Sequence, residues 1–492
     1  MSATTVQIKK TPAKKPVTKN VKKPKSFSAV KTANEKKSPA IVQQEQQELL
    51  MQPPRGMRDL LPGDQPYWDR VRRILSTVCQ EYGFQRIDTP TLEYAHIFLR
   101  SIGEGTDVID KEMYTFTTRG GDRVALRPEM TSGIARAYIQ HGMSVLPKPI
   151  RLFSKGPLFR YDRPQEGRYR EHWQANFDIF GEKDPIIDAQ IFQMAYRVVS
   201  YLGLKNIEFQ VNSIGTPTAR KEYNRVLVRY FETQRNRLCQ NCRERLETNP
   251  LRILDCKEDK CVQLVAVAPQ MKDYLEPESK EHFRKLLEYL DELEIPYTIN
   301  PRLVRGLDYY TDTVFEIYTR GQDDTKKQSL GGGGRYDGLI AQLGGESTPA
   351  IGFGLGMDRL VLEMQRHQVK LYYPPRPKIF LAQLGELAKK KSLRLFGELE
   401  KNGVLVAESF GRGSLKSQLR AAHRMGAEIT LILGQKEAID GTVILKDMVS
   451  GTQETVTQGK LMLAVKKMLK TNQTLHIDAA QLNGIDDDDE ED

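Results

Sequence analysis

Apolar and polar positions alternate most clearly between residues 152 and 180. One run extends from Leu152-Phe153-Ser154 to Leu158-Phe159-Arg160 and a second from Trp173 to Phe180, which predicts two strands, each with one buried face. The turn between them is set by Pro164 and Gly167 and carries Arg160, Arg163, Arg168 and Arg170. A guanidinium is always charged and offers a planar fork of donors that matches phosphate oxygens, so four on one hairpin suggest a polyphosphate clamp. Gln174 and Asp178 stand four apart on the second strand and share a face. An amide and a carboxylate beside an arginine fork suit a small cationic ligand next to a nucleotide.

The same patterning organises the rest of the chain. Val71, Ile74, Leu75 and Val78 give a helical face over Trp68–Tyr82 that ends at Gly83, and Phe84–Pro90 reads as a strand. Alternation through Leu126 predicts another strand, and Thr131 or Ser132 is placed to cap the helix that follows. Helical periodicity returns over Tyr223–Leu238 and Phe283–Leu293. Arg302–Arg320 contains a strand at VFEIY, and GFGLGMDRL (352–360) reads as a strand running into a helix that begins with Asp358-Arg359. Beyond the proline-rich linker at 374–377, strands KIFLAQL, GVLVAE, AEITLIL and TVILKD alternate with helices Leu387–Lys401 and Leu415–Met425, an α/β pattern.

Composition adds three constraints. The chain has 492 residues, enough for several domains, and no apolar run approaches the roughly 18 residues needed to span a bilayer. Five cysteines in so long a chain argue for a reducing compartment, and a cytoplasmic location is expected. The total charge of +10 is unevenly distributed: residues 1–40 carry eleven Lys and one Glu, and 486–492 are all acidic, leaving +7 on the body. A basic body with a basic arm suggests a polyanionic partner such as nucleic acid. The arm itself is too polar to fold, and it reads either as an RNA-binding arm or as a solubilising one. Two close pairs, Cys239-x2-Cys242 and Cys256-x4-Cys261, have the makings of a tetrahedral zinc site, but the second spacing is loose and no metal is assigned.

Five motifs occur in a fixed order: LRPEMT (126–131), GPLFRYDRPQEGRYREHWQANFDIFG (156–181), RGLDYYTDTVFEI (305–317), GGGRYDGL (332–339) and GFGLGMDRL (352–360). Together they resemble the histidyl-tRNA synthetases of bacterial type, within class II of the aminoacyl-tRNA synthetases. The resemblance runs from about Pro53 to Met468, and RGLDYY is its most particular element. It implies an α+β fold, with an antiparallel-sheet catalytic domain, a helical insertion and a C-terminal α/β anticodon-binding domain. The expected organisation is an arm (1–50), a catalytic domain in two parts (51–216 and 296–373), the insertion (217–295), the anticodon-binding domain (377–472) and an acidic tail (473–492).

The resemblance also implies chemistry. Histidine would be activated with ATP and Mg2+ and transferred to histidine tRNA by a homodimer with no membrane attachment. Arg160 and Arg305 would be catalytic, and Arg160, Arg168 and Arg359 would hold ATP. Glu129, Thr131 and Gln174 would hold the substrate ammonium, Asp178 and Tyr310 would meet the imidazole, Tyr309 would line the pocket, and Met130, Arg160 and Arg305 would complete the histidine-binding set. Arg163 and Gln165 would approach the tRNA acceptor end. Lys416, Arg420 and Arg424 recur at helical spacing and are either RNA contacts or a solvated face. The main alternative is a non-catalytic, synthetase-like regulatory subunit of ATP phosphoribosyltransferase.

Overall fold

The computed structural model describes residues 51–469 except 104, 320–327, 372, 374 and 412, so the Lys-rich arm and the acidic tail lie outside the described residues. Two compact units result, 51–61 with 73–367 and 62–72 with 368–469. In chain order the strands of the first are β1 (Gln85–Arg86), β2 (Leu92–Tyr94), β3 (Thr115–Thr117), β4 (Arg123–Leu126), β5 (Ile150–Phe159), β6 (Glu171–Phe180), β7 (Ile207–Ser213), β8 (Tyr297–Ile299), β9 (Thr311–Thr319), β10 (Gln328–Arg335) and β11 (Ala350–Gly356). Eight of them form one sheet in the order β1-β5-β6-β11-β10-β9-β7-β8. Its inner pairings are antiparallel, and only the outermost pairs, β1 with β5 and β7 with β8, are parallel. The other three make a small sheet, β2-β4-β3.

Strict alternation along β6 divides the main sheet into an apolar and a polar face. Phe177 stacks on Phe353 of β11 with ring centroids 4.6 Å apart. On the same side Phe315 of β9 meets Phe192 at 4.2 Å, on the helix Pro185–Tyr201. That helix starts as its sequence dictates, with the Asp184 carboxylate accepting from the Ile186 N–H and Pro185 in the first turn. The neighbouring residues of β6, Gln174, Asn176 and Asp178, point the other way.

The helical layer is fixed to the sheet by one buried charge. Asp188 has no exposed surface; it pairs with Arg335 of β10 at 2.6 Å, accepts from the Thr313 hydroxyl of β9 at 2.7 Å and meets His282 Nε2 at 2.8 Å. His282 belongs to the helix Pro277–Glu292, which packs on Pro185–Tyr201. Before it, residues 217–275 fold as one longer helix, Pro217–Glu232, and several short ones around their own core, which includes Tyr223, Leu227, Phe231, Leu246, Ile253 and Leu264.

The second unit carries a five-stranded sheet in the order β13-β12-β14-β15-β16. Strands β12 (Ile379–Gln383), β13 (Val406–Glu408) and β14 (Ile429–Leu433) are parallel, while β15 (Thr442–Asp447) and β16 (Gln453–Thr457) run antiparallel. β12 and β14 are buried along their whole length, as strands covered on both faces should be. β16 was not foreseen, because QETVT is an almost fully exposed edge strand with no apolar face to betray it.

Two local expectations change. The strand expected over Phe84–Pro90 pairs only at Gln85 and Arg86, since it is a sheet edge and Asp88 and Pro90 offer little to extend it. The helix Thr131–Gln140 is not capped by Thr131 or Ser132; the Glu129 carboxylate instead accepts the backbone N–H groups of Thr131 at 2.6 Å and Ser132 at 2.8 Å.

Removing one member of a buried ion pair strands the other charge without water. Asp188→Ala should therefore destabilise the first unit by about 3–5 kcal/mol. Denaturant unfolding would show this as a lower midpoint; a change below about 1 kcal/mol, the value of a surface pair, would mean that the network does not hold the layers together.

Candidate active site

The polar face of β6 is roofed by the loops that carry the sequence motifs, and between them lies a cavity lined by Glu129, Thr131, Arg160, Arg168, Gln174, Arg305, Tyr309, Tyr310 and Arg359. Their side chains come from four separate stretches of chain. The floor is glycine where β11 runs beside β6: a Cβ on Gly354 would collide with the Gln174 amide, and one on Gly352 would come within 2.6 Å of Asp178 Oδ1. Bare backbone at these two positions lets the polar side chains of β6 lie flat along the sheet.

Four guanidiniums share the cavity wall, and each has a tether. Arg160 donates from Nε to the Pro128 carbonyl at 2.8 Å. Arg168 pairs with Asp162 at 2.5 Å. Arg359 donates to the carbonyls of Gly167 at 3.0 Å and Ser329 at 2.6 Å. Arg305 pairs with Glu316 of β9, not with Asp308, and Glu316 also accepts from the Tyr318 hydroxyl. Burial works against the Arg305 charge, but Glu316 and the two tyrosines hold its pKa above the ordinary arginine value. Arg359 moves the opposite way, lowered by burial and by the Arg168 charge beside it.

At the other end the cavity meets a cluster of buried tyrosines. Tyr309 and Tyr310 lie 4.7 Å apart, with Tyr336 edge-on at 5.6 Å from Tyr309. Asp178 sits behind them, fully buried; it accepts from the Tyr336 hydroxyl at 2.5 Å and from the Thr131 hydroxyl at 3.3 Å, while its Oδ2 has no partner. Burial pushes its pKa from 3.8 up to about 7, with the Glu129 charge adding to the shift and the two hydroxyls opposing it. Burial likewise raises the pKa of Glu129 against the two N–H groups that it accepts.

Other nominated residues stand apart from the cavity wall. Met130 is buried in the hydrophobic core beneath it, and Arg163 and Gln165 lie exposed on the turn. Arg170, one of the four arginines of the expected clamp, is structural: its guanidinium lies 3.7 Å over the Tyr161 ring and donates to the carbonyls of Asp162 and Arg55. Of the hairpin arginines, Arg160 and Arg168 thus line the cavity, joined from elsewhere in the chain by Arg305 and Arg359.

Several participants were not singled out from the sequence. Asn176 lines the cavity and accepts from Gln174 Nε2 at 2.5 Å, and Tyr336 holds Asp178. Both lie within the recognised motifs, and Asn176 shares the strand face of Gln174 and Asp178, so alternation alone pointed to it. Glu316 interrupts an apolar strand, which was its signal. His172 lines the cavity too; burial and the charges of Arg160 and Arg359 lower its pKa to about 3, so it is a neutral imidazole at working pH. Asp358 ties the loops together, pairing with Arg58 at 2.8 Å and accepting from the Trp173 N–H at 2.7 Å.

A family model described as histidyl-tRNA synthetase matches residues 56–360, and one described as an anticodon binding domain matches 378–468. The curated histidine–tRNA ligase of Dehalococcoides mccartyi is 44% identical over 420 residues, covering 85% of this chain and 100% of that one. The ligase of Desulforamulus reducens is 41% identical over 418 residues, covering 85% and 99%. Among solved structures, apo histidyl-tRNA synthetase from S. aureus superposes with a TM-score of 0.69 at 34% identity, covering 84% of this chain and 99% of that one. The alignments take in the motif-bearing cavity and the C-terminal α/β unit alike, and on that basis the chain belongs to the histidyl-tRNA synthetase family.

Proposed function

We infer that this chain activates histidine with ATP and transfers it to histidine tRNA. The observation that carries the reading is the convergence of four tethered guanidiniums on one cavity that ends in a tyrosine-lined recess with a buried carboxylate. In the first step the histidine carboxylate attacks the α-phosphorus of ATP, a P–O bond to pyrophosphate breaks, and histidyl-adenylate forms. In the second the terminal ribose hydroxyl of tRNA attacks the acyl carbon and AMP leaves. The nucleophile of each step belongs to a substrate, so the protein's task is to bring two anions together and to stabilise charge on the phosphoryl oxygens.

Arg160, tethered to the Pro128 carbonyl just ahead of Glu129, would bridge the amino acid carboxylate and the α-phosphate. Arg305, on the loop between β8 and β9, would reach the α-phosphate from the other side, and Arg168 and Arg359 would hold the outer phosphates. Mg2+ would arrive with the nucleotide and help to neutralise its phosphates, while the cavity carboxylates Asp162, Glu316 and Asp358 would keep their arginine partners oriented. Thr131, Gln174 and Glu129 would surround the substrate ammonium. Asp178, with one oxygen still unpartnered, and Tyr310 would take the two imidazole nitrogens. A site built on such paired polar groups rejects ligands that leave them unpaired.

The exposed row Lys416, Arg420, His423 and Arg424 on the helix Leu415–Arg424 supports tRNA contact by the C-terminal unit, and Arg163 and Gln165 on the hairpin turn suit the acceptor end. Five free cysteines are consistent with a reducing cytoplasm, and the family likeness supports a homodimer. The regulatory-subunit alternative loses ground because the ligases at 41–44% identity align over 99–100% of their length, the anticodon domain included.

Amino acid-dependent ATP–pyrophosphate exchange tests the reading. Histidine should support exchange and the other amino acids should not; exchange with threonine or proline alone, or with none, would overturn it.

Asp178 gives a second test through pH. Its proton is held up to about pH 7 in the fold but is lost near 3.8 in the unfolded chain. The folded state therefore binds the extra proton across that window, and this contribution to stability declines as pH rises from about 4 to 7. Asp178→Asn should remove that part of the pH dependence of the melting temperature and raise the histidine KM more than the ATP KM. An unchanged pH profile would mean that Asp178 is ionised throughout.

A further inference from the structure

The helical core of residues 217–275 contains a feature that the proposed reaction does not use. Cys239, Cys242, Cys256 and Cys261 bring their sulfurs together so that all four lie within 4.8 Å of one another. Three are buried and Cys256 is half-buried, and all four are free thiols. Cys239 precedes the helix Gln240–Thr248 and Cys242 lies in its first turn. Cys256 follows the 3-10 turn Pro250–Ile253, and Cys261 is in the first turn of Asp259–Ala266. The loose four-residue spacing of the second pair is absorbed by Lys257, Glu258, Asp259 and Lys260, which loop outward as exposed residues while both sulfurs turn in.

We propose that these four cysteines bind a structural zinc ion. A Zn–S bond of about 2.3 Å gives a tetrahedron of sulfurs with edges of roughly 3.8 Å. The Cys239 and Cys256 sulfurs already stand 3.8 Å apart, and a span of at most 4.8 Å for the rest leaves little to close. Backbone N–H groups point at two of the sulfurs, Cys242 N at Cys239 Sγ at 3.4 Å and Cys239 N at Cys261 Sγ at 3.2 Å, the outer-sphere donors that thiolate sites use. A cubane iron–sulfur cluster interposes an iron and a sulfide between its thiolates and spreads them wider than this. All four ligands are protein sulfurs with no open position, which marks the site as structural rather than catalytic.

The fold gives the ion a purpose. Residues 217–275 must hold several short helices on a small core, the situation in which a metal staple supplies folding energy. The segment between Cys242 and Cys256 also braces the loop that bears Arg305. Asn249 Nδ2 donates to the Asp308 carboxylate at 3.1 Å, and Arg252 reaches the Arg305 carbonyl at 3.5 Å and Asp107 at 3.4 Å.

Metal content of the full chain, purified without chelator, tests the proposal. Elemental analysis should find about one zinc per chain and negligible iron. Cys242→Ser and Cys261→Ser should lose the zinc, and Cys79→Ser, with its thiol in another helix, should keep it. Because the first two variants are at risk of misfolding, the wild-type chain stripped by a chelator under reducing conditions gives an independent readout: Co(II) alone should restore the melting temperature and produce the visible bands of a tetrahedral thiolate site. Zinc-free protein that neither takes up Co(II) nor gains thermal stability from Zn(II), a stoichiometric iron content, or a Cys239–Cys256 disulfide in reduced preparations would overturn it.

Discussion

Crowding four positive charges into one partly dehydrated cavity is the constraint around which the first unit is arranged. Like charges repel more strongly as water is excluded, and the lowered pKa of Arg359 beside Arg168 is the local sign of it. Each guanidinium is held by its own acceptor: a carbonyl before the helix Thr131–Gln140 for Arg160, the Asp162 carboxylate of the hairpin turn for Arg168, the Glu316 carboxylate of β9 for Arg305, and carbonyls of the hairpin turn and of β10 for Arg359. These tethers bind the motif loops to one another. They also fix the orientation of the donors in advance, the property that the proposed stabilisation of a developing oxyanion would require.

The sheet below answers the same need. Its aromatic side packs Phe177, Phe353, Phe315 and Phe192 against a helix that the Asp188 network locks down. Its polar side carries Gln174, Asn176 and Asp178, with glycine on the adjacent strand so that these side chains lie along the sheet beneath the motif loops. An apolar back packed on a helix and a polar front roofed by the motif loops give the antiparallel sheet one face for stability and one that lines the cavity.

How far this was legible varies with the range of the interaction. Alternation located β5 and β6 to within a few residues and put Gln174 and Asp178 on one face, because strand geometry is local. The ordered motifs gathered nine nominated residues around one cavity although they come from distant parts of the chain. What the sequence did not disclose is which partner each group takes. Arg170 looked like a clamp residue and instead stacks on Tyr161; Glu129 caps a helix; Arg305 pairs with Glu316. Tyr336, within a recognised motif, drew no notice because its role depends on meeting Asp178 across the sheet. The four cysteines were visible as two pairs, but their convergence rests on an outward loop that spacing alone does not specify.

The central proposal is that the tethered guanidiniums serve the phosphates of ATP, and Arg305, assigned to the α-phosphate, is its most exacting case. A charge that stabilises the transition state more than the ground state lowers the rate, on removal, far more than it weakens binding. The measurement is single-turnover histidyl-adenylate formation by Arg305→Ala, on protein whose melting temperature matches the unaltered chain. The account predicts a rate lower by about a hundredfold or more, the scale of losing one preorganised charge-stabilising donor, with a much smaller change in ATP affinity. A near-normal rate would contradict it and reduce Arg305 to the structural partner of Glu316.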